Sequence, residues 1–165
     1  MIPKPASPPT VELTVAAIVE QADRFLMVEE LVCGEKVINQ PAGHVESGEN
    51  PLEAVIRETL EETACRFEPD AVTGIYLWRS PNDGKSFLRV SFCGSCGDQD
   101  PERGLDEGIL RTLWVSRGDL GGGGHRLRSP MVMRSIEDYL GGVRLPLDEV
   151  QSVSVTDLAG RAAVI

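Results

Sequence analysis

The chain has no apolar run approaching the ~20 residues a membrane-crossing helix needs, so no such helix is expected. Its first ten residues, MIPKPASPPT, hold one lysine and no apolar core segment. They read as a disordered, proline-rich lead-in rather than a secretory signal. Positive charge is scarce: 16 lysines and arginines face 26 aspartates and glutamates, leaving a net charge of −10. Proteins that grip nucleic acid by its phosphates carry a basic surface, and none is evident here. An acidic protein can still handle a polyphosphate when metal ions stand between the two sets of negative charge. The balance therefore favours small, metal-complexed substrates over polymers.

Cysteine is equally sparse. Cys93 and Cys96 form a lone C-x2-C with no second pair at zinc spacing, and neither His44 nor His125 completes one. Reduced thiols at a strand end are expected, ahead of a structural zinc or redox motif. Gly121 to Gly124 lack a GK[ST] or G-x-G-x-x-G frame, so they read as a flexible loop and not as a phosphate cradle.

What is present fits one domain of 165 residues with a single core. Val11–Glu20 reads as a buried strand, and Gln21–Arg24 turns it into a hairpin partner, Phe25–Glu30. Cys33–Lys36 is a second turn, followed by a short strand at Val37–Asn39 and then a loop at Gln40–Gly43. Ala71–Trp78 and Ser86–Cys93 read as strands joined by the Ser80–Gly84 turn. A long polar loop, Gly94–Gly108, leads to a strand at Ile109–Val115 and a short helical turn at Ser116–Leu120. Ser129-Pro130 opens a last helix, Met131–Leu140, stopped by two glycines. Mixed strands with one central and one terminal helix point to an α/β sandwich. The expected organisation is a lead-in over 1–10, a domain over 11–148 and a tail over 149–165.

The most informative stretch is Gly43–Cys65, GHVESGENPLEAVIRETLEETAC. Asn50-Pro51-Leu52-Glu53 is a helix start, with Asn as cap, Pro in the first turn and Glu reaching back. Leu52, Val55, Ile56, Thr59 and Leu60 then recur at the spacing of one buried stripe. At ~100° per residue, Glu58, Glu61 and Glu62 share a face flanking that stripe. Like charges so placed cost roughly 0.2–0.5 kcal/mol per pair, and carboxylates in the last turns oppose the helix dipole. A solvated acidic face is the bland explanation. A cluster that works against its own helix instead fits a hard divalent cation with oxygen ligands.

Gly43, Glu49 and Arg57-Glu58-Thr59-Leu60-Glu61-Glu62 resemble the Nudix box, G-x5-E-x7-R-E-U-x-E-E-x-G-U, where U is bulky and apolar. Thr59, Ala64 and Cys65 depart from it, and none of them replaces a metal ligand of the family. Further blocks, FLMVEE (25–30), NQPAGH (39–44), FLRVSF (87–92), LWVS (113–116) and LRSP (127–130), resemble the NudJ branch of Nudix phosphatases. The resemblance implies a Nudix-type α/β/α sandwich with a mixed sheet, and a hydrolase acting on acid anhydrides in phosphorus-containing substrates. It implies Mg²⁺, or Mn²⁺ in its place, held by Glu58, Glu61 and Glu62 with the Gly43 carbonyl as a further ligand. It also implies that Arg57 and Glu49 pair to brace the loop.

The general base is left between the box and a later loop: Glu107 first, then Asp106, with Glu46 behind them. Arg89, on the strand face opposite Leu88 and Val90, and Arg128, ahead of a helix start, are candidates for substrate anions. Trp78 and Phe87 are candidates for stacking on a ring, although strand aromatics are more often core. Gln40 and His44 flank the metal loop and are candidates for phosphate contact. The branch resemblance implies nucleoside tri- and diphosphates and thiamine or hydroxymethylpyrimidine pyrophosphate as substrates. ADP-ribose or dinucleotide pyrophosphatase is the runner-up, and a non-catalytic nucleotide sensor the alternative from another class. A cytoplasmic monomer or homodimer, binding neither nucleic acid polymer nor membrane, completes the expectation.

Overall fold

A computed structural model describes residues 10–151. The expected lead-in up to Pro9 and most of the expected tail, from Ser152 on, lie outside the described residues.

The first hairpin forms where β-branched and apolar residues crowd: β1 (Val11–Gln21) and β2 (Arg24–Val32). Ala22 and Asp23 both take positive φ, as a two-residue hairpin turn requires. Cys33 and Gly34 repeat that device and return the chain as β3 (Glu35–Asn39). The stretch expected to be a loop then forms a short strand, β4 (Ala42–His44), antiparallel to Thr14–Ala16 of β1. Too short and glycine-bearing to show a strand period, it is held by its partner.

Helix α1 (Pro51–Thr63) starts as expected. Asn50 Oδ1 accepts from the Glu53 N–H at 2.9 Å, and Glu53 Oε2 accepts from the Asn50 N–H at 2.9 Å. Its end is unusual, because Ala64 adopts the left-handed conformation (φ 58°, ψ 19°) where a glycine would be unstrained. An L-residue there costs roughly 1–2 kcal/mol, offset in part by burial of its methyl group.

β5 (Phe67–Arg79) and β6 (Ser86–Cys96) run longer than expected, and Pro69 sits where their register shifts, on an edge strand that tolerates it. β7 (Ile109–Ser116) pairs with β2, α2 (Arg117–Gly121) follows, and α3 (Met131–Leu140) matches its expected span. The strands order as β3-β2-β1-β6-β5, with β4 beside β1 and β7 beside β2; β1 and β6 run parallel and the remaining pairs antiparallel.

Alternation along β1 builds two cores. Val15, Ala17 and Val19 pack towards Ala54 and Val55 of α1, whereas Ile18 packs towards Val132 and Ile136 of α3. The sheet is thus sandwiched between helices. Cys93 and Cys96, an odd number of residues apart, fall into opposite layers. The Cys96 thiol lies against Cys65 and is pushed by burial up to about 12. No described helix is long and apolar enough to cross a membrane.

The buried face of α1 is not the stripe expected from apolar spacing. Val55 and Thr59 are buried as expected, but Leu52 and Leu60 are only partly covered and Ile56 is 38% exposed. Ala54, Glu62 and Thr63 are buried instead. Thr59 and Thr63 can occupy that face because their hydroxyls donate to carbonyls one turn back, at 2.7 and 2.6 Å. The rotation carries the Glu62 carboxylate inward.

Candidate active site

β4 brings Gly43 directly against α1. A Cβ at Gly43 would meet the Glu58 carboxylate at 2.1 Å, so only glycine leaves room for it. One residue earlier, the Ala42 N–H donates to Glu62 Oε2 at 2.8 Å, pinning the second carboxylate to the same strand.

Arg57 ties the rest together. Its guanidinium donates to both oxygens of Glu49, at 2.8 and 2.9 Å, and to the His44 carbonyl at 3.0 Å. It also donates to Glu58 Oε1 at 2.9 Å and Glu61 Oε2 at 3.0 Å. The expected brace between Arg57 and Glu49 is there, and it reaches two further carboxylates. Arg57 holds the Glu49 carboxyl below its ordinary value. Burial raises Glu58 against the opposing pull of Arg57. Glu62, deeper still, is pushed by burial up to about 9, with Glu30, Glu58 and Asp106 adding repulsion.

These groups open onto a cavity of about 810 Å³, the size range of a small-molecule site. Its lining includes Gly43, His44, Glu46, Glu58, Glu62 and Asp106 together with Arg89, Arg128, Ser129, Trp78 and Phe87. The Trp78 and Phe87 rings stack on each other at 5.8 Å between centroids, leaving them as one aromatic wall. His44 reaches Glu12 at 2.7 Å from a largely exposed position. Arg89 is 6% exposed, and its only hydrogen bond among the described residues is a long one, 3.4 Å, to Asn39 Oδ1. Burial lowers its guanidinium to about 10.

Three expected residues stand elsewhere. Gln40 is 1% exposed and donates to the Val132 carbonyl at 2.8 Å and to Ser135 at 2.9 Å. It anchors α3 instead of facing the cavity. Glu107 does not line the cavity, whereas its neighbour Asp106 does. The Asp106 N–H donates to the Glu61 carbonyl at 2.9 Å and its carbonyl accepts from Ile109 at 3.1 Å, so the turn into β7 presents residue 106 to the site. Glu61 also does not line the cavity and pairs with Arg57 instead.

Sequence reasoning missed Glu30, which lines the cavity from β2, 3.8 Å from the Arg128 guanidinium. Its signal was a second glutamate ending an otherwise apolar strand. A register shift between Glu29 and Glu30 re-aims the side chain.

Residues 10–135 match the NUDIX domain family. The chain belongs to the Nudix family. It is 37% identical over 138 residues to the phosphatase NudJ of Escherichia coli K12, covering 84% of this chain and 89% of that one. A NUDIX hydrolase from Nitrosomonas europaea is 44% identical, with a TM-score of 0.84 over 87% of this chain and 98% of that one. A UDP-X diphosphatase, 17% identical with a TM-score of 0.68, covering 86% and 68%, shares the fold. This Nudix chain is accordingly a hydrolase acting on acid anhydrides in phosphorus-containing substrates.

Nudix hydrolases generally use divalent metals, and the side chains here fit one. The half-buried Glu58 and the buried Glu62 are raised chiefly by burial, with repulsion between neighbouring carboxylates adding to it, a penalty that a hard cation relieves. Among the described residues no three carboxylate, histidine or cysteine groups are already gathered into a cage. Arg57 holds Glu58 and Glu61, and Ala42 holds one oxygen of Glu62. A cation such as Mg²⁺, which keeps several waters, needs only a few of these oxygens.

Proposed function

We propose that this chain is a Mg²⁺-dependent phosphatase of small nucleoside tri- and diphosphates and of thiamine or hydroxymethylpyrimidine pyrophosphate. One observation carries it: a single cavity is lined both by acidic residues of the box, Glu58 and Glu62, and by the cations Arg89 and Arg128. A phosphoanhydride needs both, metal charge at the reacting phosphorus and fixed positive groups on its remaining oxygens. The 37% identity to NudJ supports the choice of a phosphatase.

In this reading Glu58, Glu61 and Glu62 hold the ion, with the Gly43 carbonyl beside them. When bound there, such an ion would supply Lewis-acid charge to phosphoryl oxygen and acidify a bound water. Arg57 orients Glu58 and Glu61 and pairs with Glu49, so it acts through the carboxylates and not on substrate. Asp106, presented by the loop before β7, takes the water proton, in preference to Glu107. Arg89 and Arg128 bind substrate oxygens, and the Trp78–Phe87 wall packs on the substrate's ring.

The test is a phosphate-release panel with Mg²⁺, run with and without added inorganic pyrophosphatase. Orthophosphate released directly from terminal phosphates supports the proposal. Signal from ADP-ribose alone, or only after pyrophosphatase, assigns a dinucleotide-type pyrophosphatase instead. Binding of nucleotide without any turnover would make the chain a sensor.

A further inference from the structure

Besides the box carboxylates, the cavity is lined by donors with unmet hydrogen-bonding capacity. Arg89 Nε and Ser129 Oγ are buried without a hydrogen-bond partner among the described residues. Both residues are only 6% exposed, and both line the cavity. Ser129 directly precedes α3, whose cap residue Pro130 makes no side-chain cap bond and whose first turn carries no acid. α1, by contrast, has its first donors occupied by a capping box. The Val132 N–H donates to the Ser129 carbonyl at 3.2 Å, so among the described residues the Met131 and Met133 N–H groups are the first-turn donors left without a backbone partner, with an uncompensated dipole. Arg128 adds a second positive charge at the same end, drawn to Glu30 at 3.8 Å.

The inventory there is nearly all donor: a guanidinium with Nε–H unused, a hydroxyl, backbone N–H groups and a second guanidinium. Two carboxylates oppose it: Glu30, whose Oε1 has no partner among the described residues, and Glu62, which also acts on the Arg89 charge. Donors converging at a helix start call for an oxyanion.

We propose that the α3 end of the cavity, formed by Arg89, Ser129, Arg128 and the first N–H groups of α3, is a metal-independent subsite for a phosphate-class oxyanion. It is distinct from the position over the α1 carboxylates. The inference rests on the hydrolase reading and extends it. The substrate spans the cavity, with the phosphorus under attack at α1 and a further phosphate at α3. The same chemistry accepts free orthophosphate, which makes that product a competitive inhibitor. Glu30 sets the release of the anion by opposing its charge.

Two opposite effects test this. Orthophosphate is titrated into the metal-free full-length chain in EDTA at constant ionic strength, by calorimetry and by NMR of the arginine Nε–H signals. Saturable binding is expected in the millimolar range, weakened at least tenfold in Arg89→Met and several-fold in Ser129→Ala. Glu30→Gln is expected to tighten it several-fold. Ser129→Ala, which keeps the buried charge, serves should Arg89→Met fail to fold. No saturable binding, equal binding in wild type and both weakening variants, or weaker binding in Glu30→Gln each overturns the subsite. Competitive inhibition of turnover by orthophosphate assigns the subsite to the substrate's own path, and noncompetitive inhibition overturns that overlap. A wild type that hydrolyses its substrate yet ignores orthophosphate loses the subsite and keeps the hydrolase reading. Orthophosphate bound with no turnover of any substrate does the reverse.

Discussion

Glu62 is the residue whose chemistry is most altered by the fold. Burial, with Glu30, Glu58 and Asp106 close by, lifts it to about 9 from an ordinary 4.5. A carboxyl raised on folding binds its proton more tightly in the folded state, so its contribution is full below about 4.5 and is lost as pH rises towards about 9. The metal-free chain is therefore expected to lose stability between those values, and thermal unfolding in EDTA across that range checks it. In Glu62→Gln, which mimics the protonated acid, the decline should flatten; an unchanged slope would remove Glu62 as its source. Gly43 is the second telling residue. An alanine there forces the Glu58 carboxylate to move. A displacement of this size at a catalytic group costs about 10²-fold in turnover. Gly43→Ala should show that loss in kcat with an unchanged circular dichroism spectrum. Arg89 gives a third case. Lowering a buried guanidinium to about 10 corresponds to roughly 3 kcal/mol of cost at neutral pH. Arg89→Met is thus expected to raise the melting temperature while raising KM, a pairing that a purely structural arginine would not give.

At the scale of elements, α1 and the loop before β7 decide the site. The start of α1 was readable because Asn50, Pro51 and Glu53 are local signals that act through the backbone beside them. Its buried face was not, because spacing counts Ile56 and Leu60 as core without knowing where the sheet ends. Threonines that satisfy their own hydroxyls took part of that place, and Glu62 turned inward with them. Gln40 was misread for a related reason: its neighbours in sequence flank the metal loop, but its amide belongs to α3, about ninety residues away along the chain. Helical spacing placed Glu58, Glu61 and Glu62 on one face, whereas the pairing of Arg57 with Glu49 and the place of Gly43 beside the carboxylates came only through the resemblance to the Nudix box. Arg57→Lys keeps the charge but lacks the planar fork that joins Glu49, Glu58 and Glu61. Loss of such orienting contacts typically costs 10–100-fold, so steady-state kinetics should show a fall in kcat of that order. In the loop, Asp106→Asn should lower kcat by about 10²–10⁴-fold, as expected of a lost general base, while Glu107→Gln stays near wild type. The opposite ranking would return the role to Glu107.

The molecule as a whole carries ten excess negative charges and still lines its cavity with two arginines, Arg89 and Arg128. The fold brings both signs into one cavity: α1 supplies Glu58 and Glu62, while β6 and the approach to α3 supply Arg89 and Arg128. The central claim is that carboxylates of α1 hold a divalent ion for phosphoanhydride hydrolysis. The most direct measurement is phosphate release titrated with Mg²⁺, for wild type and Glu62→Gln side by side. Wild-type turnover should rise saturably with Mg²⁺ and vanish in EDTA. The variant should need far more Mg²⁺ and lose roughly 10³-fold or more at saturation. Equal turnover in EDTA, or a Mg²⁺ response untouched by Glu62→Gln, would contradict the account.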